Sequence, residues 1–373
     1  MTKGFKMQFS RRSILTAFGA SALVSTSIFA PVRAATSTTL NVLCWDEYPT
    51  DTSFDEFAAQ TGLTLRVDRV GSVSDMVKAL QVQSDSPYDM AFLPISTFNM
   101  VSKAVGLKTL DISKVANLSG VDPSIMDRMK MISGNPDINS KMVPFTWGAE
   151  AILTRNTSDQ PISYDVLWSD AFAGQSTFRA KSLLVGIGLY LNSTGAIANP
   201  NLDGLYESED ALVSYLLQYQ EFGMDHATRL GAEWKSGKEA AAAFDAPETS
   251  TGLVWDGTAA RVMAKHADLT FHLPAEGGMA WLDGMFVPST GQNDAAALEL
   301  MDFLLTEEVQ KRHIESSNYG SVMSNLLSKP SRLWPNGLNS DSIANVWWWR
   351  AGPSWWGPTL GRMGTNFSVA LQS

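Results

Sequence analysis

The chain of 373 residues is poor in the residues that staple or ligate. Its one cysteine, Cys44, excludes an intrachain disulfide. Four histidines (His226, His266, His272 and His313) lie scattered, without i, i+4 pairing or neighbouring cysteines. That spacing excludes a metal-ligand cluster and predicts surface histidines. No G-x-S-x-G elbow, H-E-x-x-H pair or G-x-x-x-x-G-K-[ST] loop is present, so no hydrolytic nucleophile, phosphate cradle, cofactor or metal is implied. After residue 30 no apolar run reaches the ~20 residues that a membrane span needs. Basic residues are also in deficit, 28 against 38 acidic. A chain so acidic lacks the basic face expected for a nucleic-acid or anionic-membrane partner.

What is present at the start of the chain concerns export. Lys3, Lys6, Arg11 and Arg12 precede a moderately apolar run from Ile14 to Ala30, and Val32-Arg33-Ala34 supplies an A-x-A-like cleavage site. The stretch Ser10-Arg11-Arg12-Ser13-Ile14-Leu15 resembles a twin-arginine signal, with Thr16 where that motif carries lysine. Residues 1–34 therefore read as an export signal, and the mature chain as periplasmic and without stable membrane insertion. Removing the signal takes away five basic residues and no acidic one, which carries the formal charge from −10 to −15. Cys44 has no lipidation site before it and reads as a small buried hydrophobe on a strand.

Roughly 340 mature residues are enough for two cores. Leu40 to Trp45, Leu63 to Val70 and Tyr88 to Leu93 read as strands, alternating with helices over Asp51 to Gln60 and Ser74 to Gln83. This alternation predicts parallel β-α-β units. The aromatic stretch from Lys141 to Gly148 reads as turn-prone, and the chain changes character after it. Further on, Asp210 to Phe222 is an amphipathic helix, and Gly252 to Trp255 is a strand running into a helix from Thr258 to Lys265. Leu298 to Leu305, continued through Gln310 to Ile314, reads as one long helix.

Tryptophan is abundant, with 12 copies, many at strand ends or in turns, and Trp45 and Trp255 stand at strand ends beside a carboxylate. Such an indole can stack on a bound organic group or a cation. An ordered set of segments carries a family resemblance: Trp45-Asp46-Glu47-Tyr48, Phe54 to Gly62, Tyr88-Asp89, Pro144-Phe145-Thr146-Trp147-Gly148, Trp255-Asp256-Gly257, Pro274 to Asp283, and Asn318-Tyr319-Gly320. Over residues 38–335 the chain resembles the periplasmic polyamine (spermidine/putrescine)-binding proteins of ABC transporters, which are type 2 periplasmic solute-binding proteins. The resemblance implies a two-lobed α/β fold, each lobe a mixed sheet flanked by helices, with a ligand cleft between the lobes. It implies lobe 1 over residues 36–147 with 284–332, and lobe 2 over 148–283 with 333–373, joined by crossovers near 145–150 and 280–285. An aromatic box of Trp45, Tyr48, Trp255, Trp281 and Tyr319 would surround the ligand, with Asp46, Asp256 and Asp283 as charge partners for an ammonium group.

One segment departs from that pattern. Where polyamine binders carry an acidic pair after the segment corresponding to Asp165-Val166-Leu167-Trp168, this chain has Arg179-Ala180-Lys181-Ser182, and Arg350 stands where the family has a polar amide. Basic residues there predict a ligand with an amine at one end and an anionic group at the other, such as an opine or an amino-acid derivative. The expected partners are that small molecule and the permease subunits of an importer, and the chain is expected to be a monomer and not an enzyme. A sensor partner for a receptor, or a periplasmic enzyme on the same scaffold, are the alternative readings.

Overall fold

Apolar runs and amphipathic segments alternate from the first described strand onward. The structure is a computed structural model that describes residues 39–372 apart from 47, 49, 83–86, 156–161 and 335–342. The expected export signal and Glu47 lie outside the described residues. Strand β1 (Thr39–Trp45) is buried from Leu40 to Cys44 and is followed by helix α1 (Asp51–Thr61), strand β2 (Thr64–Val70), helix α2 (Val73–Gln81) and strand β3 (Met90–Pro94). Strand β1 pairs in parallel with both β2 and β3. Phe54 and Phe57 of α1 turn inward, and the Ser72 hydroxyl caps α2 by accepting from the Asp75 amide. Helices α3 (Phe98–Val105) and α4 (Pro123–Ser133) complete this half.

The stretch expected to be turn-prone, Lys141 to Gly148, instead opens a twelve-residue strand, β4 (Val143–Thr154), which is buried throughout. Aromatic and β-branched side chains suit a doubly covered strand, and a shift of register between Pro144 and Thr146 accommodates the proline. The next block comprises β5 (Ser176–Phe178), α5 (Ala180–Ser193), α6 (Glu209–Asp225), β6 (Ala232–Glu233) and α7 (Gly237–Ala243). It continues through β7 (Thr251–Trp255), α8 (Asp256–Lys265), β8 (Thr270–His272) and β9 (Met279–Phe286).

The expected long helix is two helices, α9 (Asp294–Leu304) and α10 (Glu307–Ser317). Thr306 is extended, acidic Glu307 and Glu308 favour a new helix start, and the Gln310 side chain donates to Leu304 O and Phe145 O across the break. Strands β10 (Gly320–Ser321) and β11 (Trp347–Trp348) and helix α11 (Trp356–Leu371) end the described fold.

The sheet runs β2-β1-β3-β9-β4-β7-β5-β6, with antiparallel β4 and β9 at its centre. Strand β4 pairs with β9 from Val143 to Glu150 and with β7 from Glu150 to Thr154, so it serves both halves of the sheet. One apolar core gathers Leu40, Phe57, Phe92, Phe145, Phe286 and Leu300, and a second gathers Leu184, Ile187, Leu216, Tyr219, Leu360 and Phe367.

Cys44 is buried as expected, and burial pushes its thiol up to about 12. His313 is not at the surface. Helix α10 turns it among Tyr48, Phe145 and Tyr319, and burial lowers it to about 3, which keeps the ring neutral. Among the described residues no helix is long and apolar enough to cross a membrane, and no cluster of His, Cys, Asp or Glu suits a metal ion.

Candidate ligand cleft

The two central strands meet at Gly148, whose register partner is Trp281. A Cβ at position 148 would lie 2.0 Å from Asp256 Oδ2 and 2.5 Å from Trp281 Cζ2, so this crossing requires glycine. Asp256 is fully buried in the first turn of α8. Its Oδ2 accepts from the Ala149 amide and its Oδ1 from the Gly257 amide, each at 2.9 Å. The carboxylate named from sequence as a ligand partner thus ties β4 to α8.

A second carboxylate, Asp283, sits two residues beyond Trp281 on β9, where strand alternation puts both on one face. Its Oδ2 accepts from Trp45 Nε1 at 2.8 Å and from the Tyr48 hydroxyl at 2.6 Å. Burial raises Asp283 to about 6, against the opposite pull of those two hydrogen bonds. Tyr48 is pushed well above the usual phenol range by burial and by the Asp283 charge. Tyr319, placed by the left-handed turn at Asn318, packs edge-on against Trp281 at 5.0 Å and lies 6.2 Å from Tyr48. Trp45, Tyr48, Trp281, Asp283 and Tyr319 therefore form one continuous group.

Arg179, the N-cap of α5, organises the other end. Its Nη2 lies 2.8 Å from Glu150 Oε2, and its Nε donates to Ser182 Oγ at 2.9 Å. The guanidinium carbon stands 4.8 Å from the Trp255 ring centre and 5.4 Å from that of Trp234, in reach of both π-faces. Glu150 is 1% exposed, and its Oε1 has no hydrogen-bond partner among the described residues. Lys181 is lowered to about 8, chiefly by the Arg179 charge and then by burial, with Glu150 pulling the other way. Like charge and desolvation both disfavour the ammonium form here.

A cavity of about 760 Å³ opens between these groups. One wall comes from the end of β3 and from α3, another from Glu150, Arg179, Lys181, Trp255 and Trp281, and a third from the segment between Trp349 and Gly361. Of the residues named from sequence, Arg179, Trp255, Trp281 and Arg350 line it, while Trp45, Tyr48, Asp283 and Tyr319 adjoin it through Trp281. Asp46 is exposed beside Gly71 at the end of β1 and is not part of the lining. Arg350 lies 4.2 Å over the Tyr206 ring and pairs with Asp203 at 2.8 Å.

Sequence reasoning missed Glu150, Lys103 and the glycines of α11. The signal for Glu150 was available, because it follows Gly148 by two residues and so shares its face of β4. Among the described residues the lining holds four bases (Lys103, Arg179, Lys181 and Arg350) against one carboxylate, Glu150.

Comparison with known proteins agrees with this architecture. The chain is 24% identical over 331 residues to the spermidine/putrescine-binding periplasmic protein of Escherichia coli K12, covering 85% of this chain and 88% of that one. The solved spermidine/putrescine ABC transporter substrate-binding protein PotD of Streptococcus pneumoniae is 18% identical and superposes with a TM-score of 0.73, over 90% of this chain and all of the other. The periplasmic binding protein MotA of A. tumefaciens B6, solved with glucopine, is 14% identical with a TM-score of 0.65 over 90% and 100% of the two chains. These relatives are solute-binding proteins of transporters, not enzymes, and the two-lobed mixed α/β fold is theirs. The sequence pattern of one family spans residues 52–335, and the chain belongs to that family, the bacterial extracellular solute-binding proteins.

Proposed function

We propose that this chain is the periplasmic solute-binding component of an ABC importer, and that its solute is a small amphoteric amine with an ammonium group at one end and a carboxylate or sulfonate at the other. The observation that carries this reading is the charge of the cavity wall, where Arg179 and Lys181 stand together and Glu150 is the one carboxylate among the described lining residues. A linear polyamine would bring further positive charge to a partly desolvated basic pair, which is unfavourable. An anionic group would relieve the repulsion between Arg179 and Lys181 and accept paired guanidinium hydrogen bonds.

The ammonium end would then be directed away from Arg179 and toward Asp283, with the faces of Trp255 and Trp281 covering the intervening methylenes. Relatives named for spermidine and putrescine support an amine, and the neighbour that holds glucopine supports a ligand richer than a plain diamine. Residues 36–147 with 284–332 would close on residues 148–283 with 333–373 about β4 and β9. Closure removes the solute from water and creates the surface presented to the permease. Residues 1–34 would direct export and be removed.

Titration calorimetry of the mature protein with putrescine, spermidine, 4-aminobutanoate and taurine tests the reading. Heat from the amphoteric amines supports it. Tight spermidine binding with no response to the amphoteric probes overturns the ligand class.

A further inference from the structure

Almost half of the cavity lining comes from the segment between Trp349 and Gly361, beyond the residues that the family pattern spans. This wall is held on several sides. The amides of Trp347 and Trp349 donate to Gly278 O and Ala280 O beside β9, at 2.9 and 3.0 Å, and the Ala351 amide donates to Ile132 O of α4 at 2.7 Å. Trp356 stacks on the same Tyr206 ring that underlies Arg350, with centroids 4.8 Å apart and planes 11° from parallel.

From that fixed base α11 presents Gly357 and Gly361, one turn apart on one helix face, at the edge of the cavity. A Cβ built on either meets no atom within 4 Å. Nearby glycines differ: a Cβ at Gly352 would lie 2.5 Å from Trp356, and one at Gly364 would lie 3.0 Å from Lys181 Cβ. Two glycines in successive turns weaken a helix, and at 357 and 361 neither close packing nor a positive φ requires them. Both positions are exposed at the cavity mouth, and what their missing side chains leave is open space beside it. The cavity, about 760 Å³, lies in the upper part of the ~300–1,000 Å³ range of organic-ligand pockets, more than a slender chain needs.

We propose that Gly357 and Gly361 are specificity-determining positions whose bare helix face keeps open a side chamber for a bulky substituent on the ligand, so that the site prefers an N-substituted amino acid over a slender one. The proposal rests on reading this cavity as the site of an amphoteric solute.

The test compares the mature protein with its Gly361→Leu variant by calorimetry, using 4-aminobutanoate and N-benzyl-4-aminobutanoate. The wild type is expected to favour the benzyl probe. Leucine, a better helix former placed in open space, is expected to lower the benzyl-to-parent affinity ratio at least tenfold without lowering Tm. A ratio that moves less than threefold overturns the proposal. If the wild type takes neither probe, the ligand class proposed above fails, and the chamber is then judged by thiol labelling. Gly361→Cys is treated with benzyl methanethiosulfonate, whose sulfenyl sulfur the thiolate attacks to form a mixed disulfide with release of methanesulfinate. Val369→Cys, at a position 63% exposed on the same helix, is the control, and buried Cys44 is silent. Methyl methanethiosulfonate supplies the reference rate at each site: a benzyl-to-methyl rate ratio at Gly361→Cys at least threefold above that at Val369→Cys retains the chamber, and a smaller difference overturns it.

Discussion

The two ends of the cleft handle their charges in opposite ways. At the Trp45–Asp283 end, the Oδ2 of a buried carboxylate is met by two neutral donors, an indole N–H and a phenol. At the Arg179 end, two bases crowd one carboxylate that keeps an oxygen unpaired, and Lys181 is lowered toward 8 by its neighbour. The first has no cation among the described residues to meet its carboxylate. The second is short of an anion. The aromatic end carries the family pattern, yet it does not by itself decide the ligand, because an ammonium group suits polyamines and amphoteric amines alike. The two classes differ at the other end, where Arg179 and Ser182 fall near the family's acidic positions with Lys181 between them.

The contrast breaks most severely at Arg179. Arg179→Ala leaves Glu150, 1% exposed, without its cation, and removal of one partner of a buried pair costs ~3–5 kcal/mol. Arg179 itself is 19% exposed, which places the expected loss near the lower end. Urea unfolding measures it. Combining Arg179→Met with Glu150→Gln removes both charges and is expected to recover most of the stability while binding of 4-aminobutanoate stays lost. Recovery of binding along with stability would show that the basic end does not read the anion.

Gly148 joins the two ends, so a change there strikes both. Gly148→Ala would drive a methyl group into Asp256 and Trp281, and overpacking of this kind costs ~1–3 kcal/mol. The expected result is a lower Tm together with altered tryptophan fluorescence, since Trp281 must turn. An unchanged emission spectrum would mean that Asp256 alone absorbs the strain.

Protonation sharpens the same comparison. Asp283, raised to about 6, loses its charge as pH falls through that value, and Lys181, lowered to about 8, loses its own as pH rises through that one. Affinity for an amphoteric amine is therefore expected to peak between these values and to fall at most about tenfold per unit outside them. Asp283→Asn should flatten the acid limb and Lys181→Met the alkaline limb in calorimetry across pH.

Stability carries opposing contributions. Asp283 stabilises below the usual carboxylate range, an effect lost as pH rises through about 6. His313, lowered to about 3, contributes stability above the usual imidazole range that is lost as pH falls toward 3.

Periodicity made the β-α-β start of the chain legible, because alternating apolar runs and helix faces leave their period in the residues. It failed at Lys141 to Gly148, where a strand covered on both faces has no alternation to read. It failed again at Leu305–Thr306, where a helix break depends on Gln310 bonding across to Phe145 O. The cleft follows the same rule. Trp255 and Trp281 were visible as residue types in an ordered pattern, and Arg179 as a departure from it. The roles of Asp256 and Glu150 were not, because local sequence does not say whether a carboxylate meets a backbone amide, a guanidinium or open space. His313 was misread for that reason too: an imidazole with no visible partner looks like a surface residue until α10 folds it under Tyr48 and Tyr319.

Asp46 is expected to give the smallest effect and tests how far the aromatic end extends. The Trp45-Asp46-Glu47-Tyr48 segment suggests that its acidic residue serves the ligand. In the fold, β1 ends with Trp45 turned to Asp283 and the Asp46 amide held by Val70 O, which leaves the Asp46 side chain exposed beside Gly71. An exposed carboxylate outside the lining acts on the ligand across water, where its field is weakened and screened. Asp46→Asn is therefore expected to change Kd for an amphoteric amine by less than about twofold, as surface substitutions usually do. A larger loss that disappears at high salt would bring Asp46 into the site and extend the carboxylate end of the cleft beyond Asp283. A larger loss that persists in salt would instead mean direct contact with the bound amine, and the boundary between the two ends would have to be redrawn at β1.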